Sequence, residues 1–213
     1  MQMQFPDANT VGENALARFS RGPYDAYKAD SEFSPVDAIV EEILGRLGCL
    51  RRNQRIVDMG KPDVPNSLRL MRDHDMVVLN IASIGDDSYI QKEYKNLTVE
   101  INMFNKKIDD IMREHGVPKE LAFLSIDSGT IVTEYRPLVV AAKINPSTHP
   151  SSDYPGGFKH TNAFWNDKGY VLAAMADKYV VYVRSDLVKE ADIKGVVLRN
   201  PDMLFDWKHI KRT

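Results

Sequence analysis

Apolar residues recur along the chain in two alternating rhythms: short, nearly continuous runs, and stretches spaced three and four apart. Ser34-Pro35 opens the first helical stretch, with Ser as N-cap and Pro at the first helical position. Ile39, Ile43, Leu44 and Leu47 follow on one face, and Gly48 stops it. Arg55 to Met59 reads as a short strand, Asn66 to Arg72 as a helix, Met76 to Ile81 as a second strand and Leu97 to Ile101 as a weaker third. Asn105 to His115 carries Ile108, Ile111 and Met112 on one face and is closed by Gly116, which predicts a helix. Leu121 to Ile126 and Leu138 to Ile144 are the fourth and fifth strands, the latter apolar enough to be buried on both faces. A loop rich in Pro, Ser, Gly and His spans 145–160, and Thr161 to Lys168 is a short helix. Tyr170 to Ala176 and Tyr179 to Arg184 then form an antiparallel pair turned by Asp177-Lys178. Strand and helix alternate as in βαβ units. The pattern predicts an α/β fold: a Rossmann-like, mostly parallel sheet flanked by helices and finished by a C-terminal hairpin. Residues 1–33 are polar, with scattered aromatics, and read as an extended arm ahead of a single domain over 34–213.

Composition narrows this picture without redirecting it. The 213 residues, 43% hydrophobic, suffice for one substantial core. A net charge of -2 gives no global field for nucleic acid or an anionic membrane, and the basic C-terminal cluster (Lys208, Lys211, Arg212) reads as a solvated tail. The lone Cys49 excludes an internal disulfide and follows Gly48, where a half-buried packing role is expected. No apolar run reaches membrane-spanning length, and the first residues lack a secretory pattern, so a cytoplasmic protein is expected.

Ligands of open parallel sheets bind beyond the carboxyl ends of the strands, where the strand order reverses. After the first strand stand Asp58 and Gly60, then Asp63, Asn66 and Ser67; after the second, Asn80 and Ser83; after the fourth, Asp127-Ser128-Gly129. A carboxylate and a glycine at the end of the first strand suit a ligand ammonium and a close backbone approach. Pro62 and Pro65 remove backbone donors there, which disfavours a phosphate cradle and with it a nucleotide-sugar site. Asp127 can act as a base, orient a hydroxyl or help hold a divalent cation, against the plainer reading of a turn residue. His149 and His160 lie in the loop beyond the fifth strand and are candidate bases. Phe164 and Trp165 read as core rather than as a sugar platform.

Five segments, spanning roughly residues 34–188, together resemble the FkbM-type methyltransferases. They are SPVDAIVEEILGRLG, RIVDMG, GVPKELAFLSIDSG, YRPLVVAAKINPS and KGYVLAAMADKYVVYVRSDLV. The resemblance implies a class I, S-adenosylmethionine-dependent O-methyltransferase acting on a sugar or other glycan hydroxyl. By it, Asp58 and Gly60 lie near the methionine part of the cofactor, Asn80 at the ribose and Asp127 at the reacting hydroxyl. Asp63, Asn66 and Ser67 are remnants of the first loop. The chain also departs from the family pattern. The first loop has lost its second glycine, Asn80 stands in place of an acid, and Lys143 replaces the glutamate of the fifth strand. These departures sustain the alternative of a catalytically inactive module that binds a glycan or a partner protein.

Overall fold

The computed structural model describes residues 35–59, 67–83, 95–102, 106–127, 129–144, 156–176 and 179–188. The predicted N-terminal arm, the basic C-terminal cluster and the site candidates Gly60, Asp63, Asn66 and His149 lie outside them. In chain order the elements are α1 (Pro35–Arg46), β1 (Arg55–Met59), α2 (Leu68–Asp73), β2 (Val77–Ser83), β3 (Leu97–Asn102), α3 (Ile108–Glu114), β4 (Phe123–Ile126), β5 (Val139–Lys143), α4 (Phe158–Asp167), β6 (Tyr170–Ala176) and β7 (Tyr179–Arg184).

The strands form one sheet in the order β3-β2-β1-β4-β5-β7-β6. The first five run parallel, β7 runs antiparallel to β5, and β6 and β7 pair as the expected hairpin, with an irregularity between Leu172 and Ala174. The order reverses between β1 and β4, where Val57 lies opposite Leu124 and Asp58 opposite Ser125. Alternate strand residues feed two separate cores, as the period of two requires. Ile56, Val78, Phe123, Val139 and Val181 pack with Ile39, Ile43 and Leu44 of α1 and Leu70 and Met71 of α2. Val57, Leu79, Leu124, Val140 and Tyr182 pack with Ile111 and Met112 of α3 and Trp165 of α4. Cys49 is half-buried against the first of these, the packing role its position predicts.

Helix ends fall where the glycines stand. At the end of α1, Gly48 takes φ +63°, its N–H reaches the Gly45 carbonyl at 3.0 Å, and the Cys49 N–H reaches that of Leu44 at 2.8 Å. Gly116 (φ +62°) repeats the pattern after α3, through Gly116 to Arg113 at 3.0 Å and Val117 to Met112 at 2.9 Å. Both are paired-bond caps that satisfy otherwise orphaned carbonyls. Helix starts differ from expectation. The third helix begins at Ile108 rather than Asn105, after an extended Lys107. The fourth begins at Phe158 rather than Thr161, after an extended Gly157, because burial of Phe158 anchors one more turn. Among the described residues no helix is long and apolar enough to cross a membrane.

Candidate functional site

The structure sorts the predicted residues into two polar groups. The first lies on the α1/α2 face of the sheet. Asn80, Asp58 and Ser125 stand level on β2, β1 and β4, and all three are buried. Ser67, directly before α2, makes no capping bond to its own helix; its hydroxyl donates to Asp58 Oδ2 at 2.9 Å. The cap comes from elsewhere: Asp37 of α1 accepts the Arg69 N–H on Oδ2 at 2.7 Å, while its Oδ1 has no hydrogen-bond partner. Glu41, one turn further along α1, pairs with Arg69 (3.1 Å) and His74 (2.8 Å), so α2 is held to α1 at both of its ends. Burial, first, and then the neighbouring Asp58 and Glu41 carboxylates push the Asp37 carboxyl well above the usual range, against the Arg69 and Leu70 N–H groups. Asn80 is fully buried, and neither atom of its amide has a partner. An unpaired buried amide costs on the order of 1–3 kcal/mol per group, so this position is not optimised for the closed fold alone.

The second group is open. A shallow cleft of about 20 Å³, room for roughly one water, lies at the carboxyl ends of β4 and β5, and its lining includes Asp127, Lys143, His160, Ile131, Phe164 and Trp165. Asp127 follows β4 and Lys143 ends β5; the Lys143 Nζ lies 2.9 Å from Asp127 Oδ1, with the two side chains 37% and 39% exposed. An ion pair that open to water contributes roughly 0–1 kcal/mol. Here it sets geometry more than stability. The turn after β4 closes through the Thr130 N–H on the Asp127 carbonyl (3.1 Å), with Gly129 at φ +79°, a conformation a Cβ would strain. Asp109 of α3 steadies the segment after this turn, accepting the Thr133 N–H and hydroxyl at 3.0 Å each and the Glu134 N–H at 3.2 Å. Ile131, between these anchors, is 51% exposed. Trp165 is buried, edge-on to Phe164 and to Tyr170, with 5.1 Å between ring centroids in each pair.

The cleft therefore brings together two of the three predicted catalytic residues, Asp127 and His160. His160 sits in the first turn of α4 and not in a loop. Of the cofactor candidates within the described residues, Asp58, Ser67 and Asn80 lie in the sealed group. Ser83 ends β2, level with Asn102 of β3. Asp58 and Asp127 are one strand apart and two residues out of level, Asp58 standing opposite Ser125. No group of three or more His, Cys, Asp or Glu among the described residues could hold a metal ion, so the cation considered for Asp127 finds no support there. Sequence reasoning missed Asp37, Thr130 and Ile131. An acid flanked by Val36 and Ala38 on a buried helical face was the available signal for Asp37.

No protein-family model matches the chain, and no curated protein does. Among solved structures, it is similar to a SAM-dependent methyltransferase from Aquifex aeolicus, at 12% identity and TM-score 0.42, over 84% of this chain and 97% of that one. It is also similar to the precorrin-6y C5,15-methyltransferase from Geobacter metallireducens (12% identity, TM-score 0.39, 68% and 85%). MtNAS, solved with MTA and tNA, is similar at 13% identity and TM-score 0.41, over 82% and 70%. All three likenesses are distant. The strand order and the reversed β7 assign the fold: a mixed seven-stranded, Rossmann-like sheet with helices on both faces, the architecture of class I methyltransferases.

Proposed function

We propose that the chain is an S-adenosylmethionine-dependent O-methyltransferase, a divergent relative of the FkbM type, acting in the cytoplasm on a sugar or other glycan hydroxyl. The observation that carries this reading is the placement of Asp58 and Asn80, level on neighbouring strands, with Asp58 one strand and Asn80 two strands from Asp127, beside the point where the sheet order reverses. Asn80 has two unsatisfied amide atoms of the kind a ribose diol would pair, and Asp58 a carboxylate of the kind an ammonium would pair, but both are sealed under α1 and α2, on the opposite face of the sheet from the α4 residues of the cleft. When bound, the sulfonium supplies a methyl group to the acceptor oxygen, the carbon–sulfur bond breaking as the carbon–oxygen bond forms. Asp127 orients the acceptor hydroxyl and takes its proton, with His160 in the same cleft as the alternative base. Phe164 and Ile131 form an apolar wall against which the acceptor's carbon skeleton is held, so that positioning supplies much of the acceleration.

One observation favours a second reading, a non-catalytic module. Both acids already have internal partners, Asp127 in Lys143 and Asp58 in Ser67. Titration calorimetry with S-adenosylhomocysteine separates the two. Micromolar binding that Asn80→Leu abolishes supports the enzyme. Absence of heat, with the fold intact by circular dichroism, supports the module.

A further inference from the structure

We infer that the first turn of α2 is a lid over Asp58 and Asn80, latched by Asp37 of α1, and that it lifts to admit a ligand to them. This rests on reading Asp58 and Asn80 as the cofactor's partners. Both are sealed in the closed fold, and the cleft on the opposite face has room for roughly one water. Something must move before either residue meets a ligand, and α2 is built to move at one end. It has six residues and no capping bond from Ser67, a length that gives a helix little stability without its neighbours. Over the site it is held by side chains: the Arg69 N–H donates to Asp37 Oδ2 at 2.7 Å, and the Ser67 hydroxyl to Asp58 Oδ2 at 2.9 Å. The far end is tied through the main chain. The Met76 N–H reaches the Leu70 carbonyl at 3.1 Å, Asn96 Nδ2 donates to the Met71 carbonyl at 3.2 Å, and the Asn53 N–H reaches the Asp75 carbonyl at 2.9 Å. That end is the hinge.

Closed, the lid leaves polar atoms unsatisfied. Among the described residues, neither atom of the Asn80 amide nor Asp37 Oδ1 has a hydrogen-bond partner, and water entering as the turn lifts would pair all three. Burial of Leu68 opposes the movement, while Leu70 and Met71, nearer the hinge, remain packed with Ile56 and Val78. The charges around the latch make it sensitive to pH. Asp37 faces Asp58 of β1 and Glu41 of α1. The Arg69 guanidinium, from α2, pairs with Glu41 at 3.1 Å and Asp73 at 3.5 Å, and His74 pairs with Glu41 at 2.8 Å. Burial, and then the two carboxylates, hold the Asp37 carboxyl well above 3.8 in the closed state. Closure is therefore most favoured below that value and weakens as pH rises through the elevated one.

Amide hydrogen exchange on the full chain without ligand, corrected for intrinsic rates, tests the lid. The Arg69 and Met71 amides should exchange at least about 100-fold faster than those of Val57 and Val78, through an opening smaller than global unfolding. Asp37→Ala should speed Met71 by about a further tenfold relative to Val78, as loss of the latch bond implies. Asp37→Asn keeps an acceptor for the Arg69 N–H, and should abolish the rise of Met71 exchange with pH while leaving the low-pH rate near that of the parent. Exchange of Arg69, Met71 and Val78 at one common rate overturns the inference, as does fast exchange at Met71 that Asp37→Ala leaves unchanged. The two readings fail separately. A lid that opens as expected, with S-adenosylhomocysteine altering no exchange rate, removes the cofactor and leaves the lid. Binding of S-adenosylhomocysteine by calorimetry, with α2 exchanging in step with the strands, removes the lid and leaves the cofactor.

Discussion

The two polar groups of this molecule differ in how their charges are accommodated. Under α1 and α2, Asp37, Asp58 and Asn80 are sealed from solvent, and their hydrogen bonds are incompletely made: one oxygen of Asp37 and the whole Asn80 amide are orphaned. At the ends of β4 and β5, Asp127 and Lys143 are well exposed and face each other directly. Changing the sealed group is therefore expected to alter stability strongly, and changing the open group to leave stability alone while altering function. The contrast separates polar residues buried between the sheet's central strands and their helices from polar residues open to solvent at the strand ends.

The sharpest test of that contrast is Asp127→Ala. It should lower methyl transfer by roughly 10²–10⁴-fold, the range of a lost general base, with the melting temperature essentially unchanged; full retained activity removes Asp127 from the reaction. On the sealed side, Ser67→Ala leaves Asp58 Oδ2 without its hydroxyl donor and should cost about 1–3 kcal/mol by urea unfolding. Asn80→Leu should move the other way, stabilising the fold by about 1 kcal/mol as the orphaned amide is removed, while losing affinity for S-adenosylhomocysteine. A destabilised Asn80→Leu that still binds would contradict both halves of its assignment.

Asp37 adds a pH dependence. Its carboxyl is raised in the folded state above the ordinary 3.8, so the folded chain holds that proton more tightly than the unfolded one. The contribution is complete below about 3.8 and is lost as pH rises through the elevated folded value. Unfolding midpoints should fall over that interval more steeply in the parent than in Asp37→Asn, which keeps an acceptor for the Arg69 N–H. Parallel pH profiles in the two proteins would remove Asp37 as the source. The smallest effect is expected at Tyr182, whose fully buried hydroxyl has no partner, unlike that of Tyr170, which donates to the Pro137 carbonyl at 2.6 Å. Tyr182→Phe should be neutral to slightly stabilising, and Tyr170→Phe should be destabilising by about 1 kcal/mol.

Strand positions and helix ends were legible in the sequence because each is encoded locally: apolar runs fix the former, and Gly48 and Gly116 supply the positive φ that the latter need. Helix starts were less legible because here they are not locally capped. Lys107 and Gly157 precede their helices without a side-chain cap, and α2 takes its cap from Asp37, 32 residues away. The same limit applies to the site. Asp127 and His160 could be placed over the carboxyl edge from chain order alone. The seat of Lys143 against Asp127 depends on the β4/β5 register, and in the sequence Lys143 showed merely as a departure from the family pattern.

The position of β7 has a consequence for how the chain is made. This strand comes after β6 in the sequence, yet it lies between β5 and β6 and pairs with both. Until residues 179–184 emerge from the ribosome, the apolar stretch Val139–Ala142 has an unpaired edge, the kind of template on which nascent chains associate. Synthesis halted anywhere between β5 and β7 should therefore yield a sticky, chaperone-dependent fragment, and release past Arg184 should abolish that stickiness in a single step.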